Sequence, residues 1–546
     1  MKLPALPRLS APLLTLLAST FLVLAYNLSF WKTFFVATGG ARIANLPVWL
    51  GAFAALVLFF NAFLTLVNFR FLIKPVLVLL FLGASFASHF MNHYGVVIDA
   101  SMVQNVVETD VGEAHELLNW QMLQTVTLLG ILPSLLVWRL PLRFPSTWRG
   151  LLLQLGTVAV SLLAVAGLLL LLFKTLAPAV REHRELRFLL TPTNMFQATH
   201  GYLKRKWATP TVIAALGTDA AKGVKWTAGP QRKTVTVIVV GETARAMNFS
   251  LNGYRRETNP LLARQAGLIN FRNVSSCGTA TAVSVPCVFS HFTRSDYTAD
   301  KAGSHEGLLD VLKHAGFDVL WRDNNSGCKG VCDRVRFEDL ARPRPDDPLC
   351  NTEECYDERL LRDLPQMIRN AKQDMVIVLH QKGSHGPAYW KRYPPGFGKF
   401  GPVCQTNELE NCSQESIVAA YDNTILYTDY FLSKTLDLLR AEAGEGVDTA
   451  MLYFSDHGES LGEHNMYLHG APYILSPAEQ RQVPMMLWLS DGFRSRFSID
   501  PNCLAARATQ QFSHDNVFHS VLGLLNVSTA VYNPKLDMLQ PCSRDY

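Results

Sequence analysis

The chain has 546 residues, with 50 Lys+Arg against 45 Asp+Glu and a formal net charge of +5. It is 49% hydrophobic and only 17% charged, below the roughly 25% charged residues of a soluble globular chain. Residues 1–173 hold 14 of the charged side chains and the other 373 residues hold 81, which excludes a single soluble domain and a disordered chain; the latter part is only +1, too little for a nucleic-acid footprint.

In chain order, five stretches lack any Asp, Glu, Lys or Arg: 9–31, 43–69, 75–98, 117–138 and 150–173. Each has at least 22 residues, and about 20 apolar residues cross a hydrocarbon core. They predict an α-helical membrane domain over 1–173 with five transmembrane helices, about 11–31, 47–68, 75–96, 119–138 and 152–173. The first is long, lacks a small-x-small cleavage pattern and precedes further spans, so it is expected to be retained rather than cleaved. With the N-terminus in the cytoplasm, the cytoplasmic segments hold Lys2, Arg8, Arg70, Lys74, Arg139, Arg143 and Arg149 and no acid. The external loops hold only Lys32 and Arg42 as bases, and the loop 99–116 holds five acids. That asymmetry places everything after 173 outside the cytoplasm. His89 and His93 are the only imidazoles in the spans, near one face. No acid or base sits mid-span, so an anchor is expected rather than a transport path.

Residues 174–230 read as a bridging region, opened by Arg181, His183 and Arg184 and continued by the amphipathic "TPTNMFQATHGYLKRKW". From 231 to 546 the pattern is α/β. The apolar, β-rich runs "TVTVIVVG" (234–241), "FDVLW" (317–321), "MVIVLH" (375–380), "TAMLYFS" (449–455) and "VPMMLWL" (483–489) look like buried strands. Helical patterns such as 306–316 and 419–441 lie between them, as in a largely parallel sheet covered by helices. All ten cysteines fall after residue 276. An even, clustered set beside membrane spans fits an oxidising compartment, and zinc-type C-x2-C pairs are absent.

In such sheets chemistry sits beyond the carboxyl ends of strands. Those ends carry Glu242, "RDNNSGCKG", "QKGSHGP" and "SDHGESLGEHNMYLHG". Asp456 and His457 with a remote Glu242 suit zinc, which takes N and O ligands; alone, Asp456–His457 is equally a hydrogen-bonded loop pair. Glu463 and His464 lie in the same loop without a role that sequence assigns. "SSCGTATAVSVPC" (275–287) offers Thr279, Thr281 and Ser284 as hydroxyl candidates. At a helix start its free N–H groups form an anion site, although a Thr there is also an ordinary N-cap. Asn325 and Lys329 offer an amide and an ammonium to a phosphate oxygen, or simply build a turn.

Together "VVGETARAMNFSLNGYRRETNP", "SSCGTATAVSVPC", "RDNNSGCKG", "GSHGP" and "SDHGESLGEHNMYLHG" resemble the lipid A phosphoethanolamine transferases. That family includes the mobile colistin-resistance enzymes and belongs to the alkaline-phosphatase/sulfatase-like superfamily. The resemblance implies a multi-pass protein of the bacterial inner membrane with a periplasmic catalytic domain of that fold. It implies transfer of phosphoethanolamine from phosphatidylethanolamine to a phosphate of lipid A, by a monomer that lowers surface charge and gives polymyxin resistance. Thr281 matches the nucleophile that becomes phosphoethanolaminylated. Glu242, Asp456 and His457, with the Thr281 oxygen, match the zinc (Zn2+) site. His385 and His469 match groups that bind the transferred group, act in proton transfer and can ligate a second zinc. Asn325 and Lys329 match substrate-phosphate contacts. Asn105, Thr109 and Glu113 in "QNVVETDVGE" match the donor-lipid loop. Nearest-neighbour pairing, which the resemblance also implies, joins Cys277–Cys287, Cys328–Cys332, Cys350–Cys355, Cys404–Cys412 and Cys503–Cys542. The sulfatase signature C-x-P-x-R is absent. Phosphoglycerol transfer or hydrolysis in the same superfamily, and a non-catalytic membrane sensor, are the competing expectations.

Overall fold

The computed structural model describes residues 8–40, 42–108, 117–145, 147–183, 186–207, 212–227, 232–344, 346–351 and 353–543. The chain divides into two compact units, Met1–Val103 with Leu118–Tyr202, and Gln104–Leu117 with Leu203–Tyr546.

The first unit is helical. It begins with α1 (Ala11–Ala25), α2 (Leu28–Ala37), α3 (Leu46–Leu66), α4 (Ile73–His93) and the first turn of α5 (Ala100–Glu108), whose residues from Gln104 on belong to the second unit. It continues with α6 (Trp120–Arg139), which contains a π turn at Val126–Ile131, then α7 (Thr147–Glu182) and α8 (Thr193–Trp207). Within the described residues α3, α4, α6 and the stretch Trp148–Phe173 of α7 are long and apolar enough to cross a membrane. The first expected span is not one straight helix: α1 and α2 meet at 69°, and only taken together do they make a fifth span. Asn27 explains the bend. It is fully buried between the two helices, and its Nδ2 donates to the carbonyls of Leu22 and Thr191 at 2.9 Å each. Its Oδ1 accepts the Thr191 N–H at 2.8 Å. A side-chain amide that satisfies a carbonyl of the preceding turn ends the helix there. At the other end α7 runs past residue 173 to Glu182, so the segment read as a bridge begins as helix.

The second unit is built on an eight-stranded sheet with α helices between strands. In chain order the elements are β1 (Thr234–Gly241), β2 (Ile269–Ser275), α9 (Thr281–Val288), α10 (Leu308–His314), β3 (Asp318–Asp323) and β4 (Arg336–Asp339). There follow β5 (Met375–His380), α11 (Gln414–Gly444), β6 (Asp448–Ser455), β7 (Gln482–Leu489) and β8 (Gln511–Ser513). The strand order is β8-β2-β7-β6-β1-β5-β3-β4. β1, β5 and β6 are buried at every position, as strands covered on both faces must be. Only β7 runs against its neighbours. Sequence patterning misses three strands: β2 alternates with polar Asn270 and Arg272, β4 is an exposed edge and β8 has three residues.

The pairing register decides where the loops emerge. Val240 stands opposite His380, Gly241 opposite Ser455, and Asp323 opposite His380. Four parallel neighbours therefore end at one level. β2, antiparallel to β7, ends on the same edge, with Ser275 opposite Gln482. Five loops with charged or hydroxylated residues thus open on one side of the sheet.

Candidate active site

Glu242 follows β1 and is fully buried. Thr243 behind it has φ +60, a left-handed conformation that a β-branched residue rarely adopts. Its carbonyl accepts Tyr421 Oη at 2.7 Å, its N–H donates to Asp456 Oδ1 at 3.2 Å and its hydroxyl to Glu242 Oε1 at 2.5 Å. Gly383 (φ +54) packs so closely that a Cβ there would lie 2.6 Å from the Glu242 carbonyl. Asn325, two residues beyond β3, donates from Nδ2 to Glu242 Oε2 at 2.8 Å and to the Gln381 carbonyl at 2.9 Å. Its Oδ1 accepts the Ser326 N–H at 2.7 Å. In this arrangement Asn325 holds Glu242.

Asp456 and His457 follow β6 and are also fully buried. His457 Nδ1 lies 2.9 Å from the Gly458 carbonyl, which directs Nε2 inward. Nε2 stands 3.3 Å from Glu242 Oε1, 3.3 Å from Asp456 Oδ2 and 3.2 Å from Thr281 Oγ1. Burial pushes the His457 imidazole down, but Asp456 and Glu242 pull it up to about 10. Burial, together with the Glu242 charge, raises the Asp456 carboxyl to about 6. Burial also acts upward on Glu242, and the adjoining His457 overrides it, leaving this carboxyl well below the usual range.

Thr281 is the first residue of α9, and the preceding Ala280 supplies no side-chain cap. Its Oγ1 lies 3.2 and 3.0 Å from the two Glu242 oxygens. The loop before it is closed by the Cys277–Cys287 disulfide. The remaining eight cysteines pair as Cys328–Cys332, Cys350–Cys355, Cys404–Cys412 and Cys503–Cys542. Ser284, one turn along α9, donates to the Asp456 carbonyl at 2.5 Å. His514 Nδ1, from the turn after β8, accepts the Cys277 N–H at 3.2 Å. Thr279 donates to the Ala471 carbonyl at 2.6 Å. Thr243 and His514 escaped sequence reasoning. Thr243 follows Glu242 within a quoted motif but carries no metal-ligand or nucleophile signature there, and His514 lies in no quoted motif and more than 230 positions from the residue it holds.

His469 approaches from the loop after β6. Its ring centroid lies 4.5 Å from that of His457 and 5.3 Å from that of His385. Glu459, which is fully buried and which sequence reasoning also passed over, lies 3.4 Å from His469 Nδ1. Lys329, at φ +52, reaches the carbonyl and hydroxyl of Ser326 at 3.0 Å each. Asn105 belongs to the second unit, and its Nδ2 lies 4.0 Å from where a Cβ on Gly470 would stand. Thr109 and Glu113 lie outside the described residues. His464 is exposed at the tip of its turn (φ +53).

The donor set fits a zinc ion. Glu242, His457 and His469 each offer a ligand atom within 4.8 Å of the others. Asp456 Oδ2 is buried and makes no hydrogen bond, its near contact being His457 Nε2 at 3.3 Å, and a cation bound there would complete its pairing.

The sequence model of the family described as Sulfatase matches residues 234–527, and that of Phosphoethanolamine transferase EptA/EptB matches 56–207. The chain is 42% identical over 533 residues to phosphoethanolamine transferase EptA of Escherichia coli K12, covering 97% of this chain and 96% of that protein. It is 39% identical over 485 residues to phosphatidylethanolamine transferase Mcr-1 of Escherichia coli, covering 86% and 88%. The solved structure of the integral membrane lipooligosaccharide phosphoethanolamine transferase EptA of Neisseria meningitidis superposes with a TM-score of 0.94 at 34% identity, covering 99% of this chain and all of that one.

Proposed function

The chain belongs to the phosphoethanolamine transferase family of EptA and Mcr-1, and from that premise we propose that it moves phosphoethanolamine from phosphatidylethanolamine to a lipid A phosphate through a covalent phosphothreonine at Thr281. The observation that carries the reading is the convergence of Glu242 and His457 on Thr281 Oγ1 at 3.0–3.2 Å. A threonine hydroxyl is inert unless its proton is drawn off.

In the first half, Thr281 Oγ1 bonds to phosphorus and the phosphorus–oxygen bond to diacylglycerol breaks. The hydroxyl proton ends on the departing diacylglycerol oxygen, carried by His469 and His385. In the second half an acceptor phosphate oxygen bonds to phosphorus, the Oγ1–phosphorus bond breaks, and a proton from the acceptor phosphate or water returns to Oγ1. Glu242, Asp456 and His457 would hold a zinc ion beside Thr281 Oγ1, where it would lower the hydroxyl pKa and offset phosphoryl charge. Asn325 keeps Glu242 turned toward Thr281, and the α9 N-terminus faces the phosphoryl oxygens with main-chain N–H groups. Lys329 contacts the substrate phosphate, and Asn105, Thr109 and Glu113 receive the donor headgroup.

Residues 1–173 anchor the chain in the bacterial inner membrane, 174–230 bridge, and 231–546 act in the periplasm. Five disulfides support the oxidising side. Each ethanolamine ammonium added to lipid A reduces its negative charge, which weakens polymyxin binding.

Incubation with phosphatidylethanolamine alone is expected to leave a phosphoethanolamine adduct on the Thr281 peptide, read by mass spectrometry. Thr281→Ala is expected to lose both adduct and transfer. Full transfer by the alanine variant would refute the covalent route. Product analysis with phosphatidylglycerol in place of the donor separates this reading from phosphoglycerol transfer.

A further inference from the structure

Two cations stand at the rim of the nucleophile loop and have no part in the chemistry above. Arg294 lies on the chain leaving α9, and Arg481 immediately precedes β7. The guanidinium carbon of Arg294 is 3.9 Å from the centroid of the Tyr473 ring, and that of Arg481 is 5.5 Å from it. Tyr473 is tied to the nucleophile loop: its Oη donates to the Ser276 carbonyl at 2.9 Å, and Ser276 N–H donates to the Arg481 carbonyl at 2.8 Å. Ser276 precedes Cys277, and Tyr473 lies four residues beyond His469.

The pair is short of negative charge. Among the described residues neither guanidinium forms an ion pair, and the Nε of each is buried without a hydrogen-bond partner. Asp515 accepts the main-chain N–H of Arg294 at 2.7 Å and interacts electrostatically with its side chain, which offsets one charge in part. Like charges gathered on one ring repel, and a bound anion removes that cost. A guanidinium held over an aromatic ring can still present its terminal N–H groups to a phosphate.

We propose that Arg294 and Arg481, held by Tyr473, form the subsite for the phosphate monoester of the acceptor. The proposal rests on the transfer reaction given above. Charge selects the acceptor over the donor: a phosphate monoester carries about −1.5 to −2 near neutral pH, matching two guanidinium groups, whereas the diester donor carries a single negative charge.

The test uses the full-length protein in detergent micelles, with Arg294→Gln, Arg481→Gln, the double variant, and Arg294→Lys and Arg481→Lys. Each Gln variant is expected to raise KM for lipid A about 10-fold or more while kcat changes less than about twofold. The Lys variants, which keep charge but lose the stacked fork, should fall between. Glucosamine 1-phosphate, a monoester, should compete with lipid A in the parent and lose that competition in the double variant. Glycerophosphoethanolamine, a diester, should act equally on both. An unchanged KM in the folded Lys and Gln variants overturns the proposal. So does loss of competition by the diester, which would assign the pair to the donor. If the parent transfers nothing to lipid A, the functional reading fails, and calorimetric binding of glucosamine 1-phosphate then decides the subsite. Binding lost in the double variant supports it, and equal binding overturns it.

Discussion

At the scale of single residues, the site depends on hydrogen bonds that fix one oxygen. Ser284 is the informative case. Sequence marks it only as one of three hydroxyls, but its bond to the Asp456 carbonyl ties the helix that begins with Thr281 to the loop that carries the expected metal ligands. Ser284→Ala removes that tie without touching a reacting atom. Misplacement of a reacting group by about 1 Å costs roughly 100-fold in rate. The expected outcome is therefore a kcat lowered about 10- to 100-fold at unchanged donor KM, with Ser284→Thr restoring most of it. Steady-state transfer assays on the three proteins decide this. Equal kcat for the alanine variant and the parent would reduce Ser284 to a packing residue. Legibility follows the same line. Glu242, Asp456 and His457 were readable because each directly follows an apolar strand. His514 was not, because its partner Cys277 comes from a strand that only tertiary pairing places beside it.

At the scale of elements, α11 shows how burial shapes pH dependence. This 31-residue helix is capped by Ser413, whose side chain accepts the Ser416 N–H. Its middle carries Asp429, which accepts the N–H groups of Leu261 and Leu262 at 2.9 and 2.8 Å. Burial pushes the Asp429 carboxyl up to about 7 from an ordinary 3.8. A folded-state value above the unfolded one means the folded chain holds the proton more tightly. The contribution is complete below 3.8 and is lost as pH rises through about 7. Asp537, pushed by burial to about 6, acts in the same direction. Thermal midpoints of the second unit should fall across this range. Asp429→Asn should flatten the part between 3.8 and about 7. A variant as steep as the parent, by scanning calorimetry at several pH values, would place the titration elsewhere.

At the scale of the whole molecule, the two units hold separate cores. One is built around Leu22, Tyr26, Phe60, Leu77 and Phe81, the other around Ile238, Phe271, Trp321, Val378 and Phe454. Each core is closed by its own elements, so a fragment spanning 203–546 is expected to fold and unfold cooperatively with a midpoint near that of the intact chain. The anchor's contribution is then kinetic. Holding the catalytic unit at the surface that contains both lipid substrates raises their effective concentration. Its removal should slow transfer between vesicle-embedded lipids about 100-fold or more while leaving reaction with short-chain soluble donors nearly intact. Equal rates on vesicles for fragment and intact protein would show that the anchor does not concentrate substrate.

The amino-acid sequence by itself determined the division into an apolar front and a cysteine-bearing α/β part, the charge-free segments and the strand ends where chemistry sits. Those properties are carried by composition and short-range periodicity, which need no knowledge of distant partners. The tertiary structure alone decided the rest: the bend at Asn27, the partners of Asn325, the Ser284–Asp456 tie and the gathering of Arg294 and Arg481 on Tyr473. Each of these joins residues far apart in the chain, and sheet register together with loop packing, rather than local propensity, determines which of them meet.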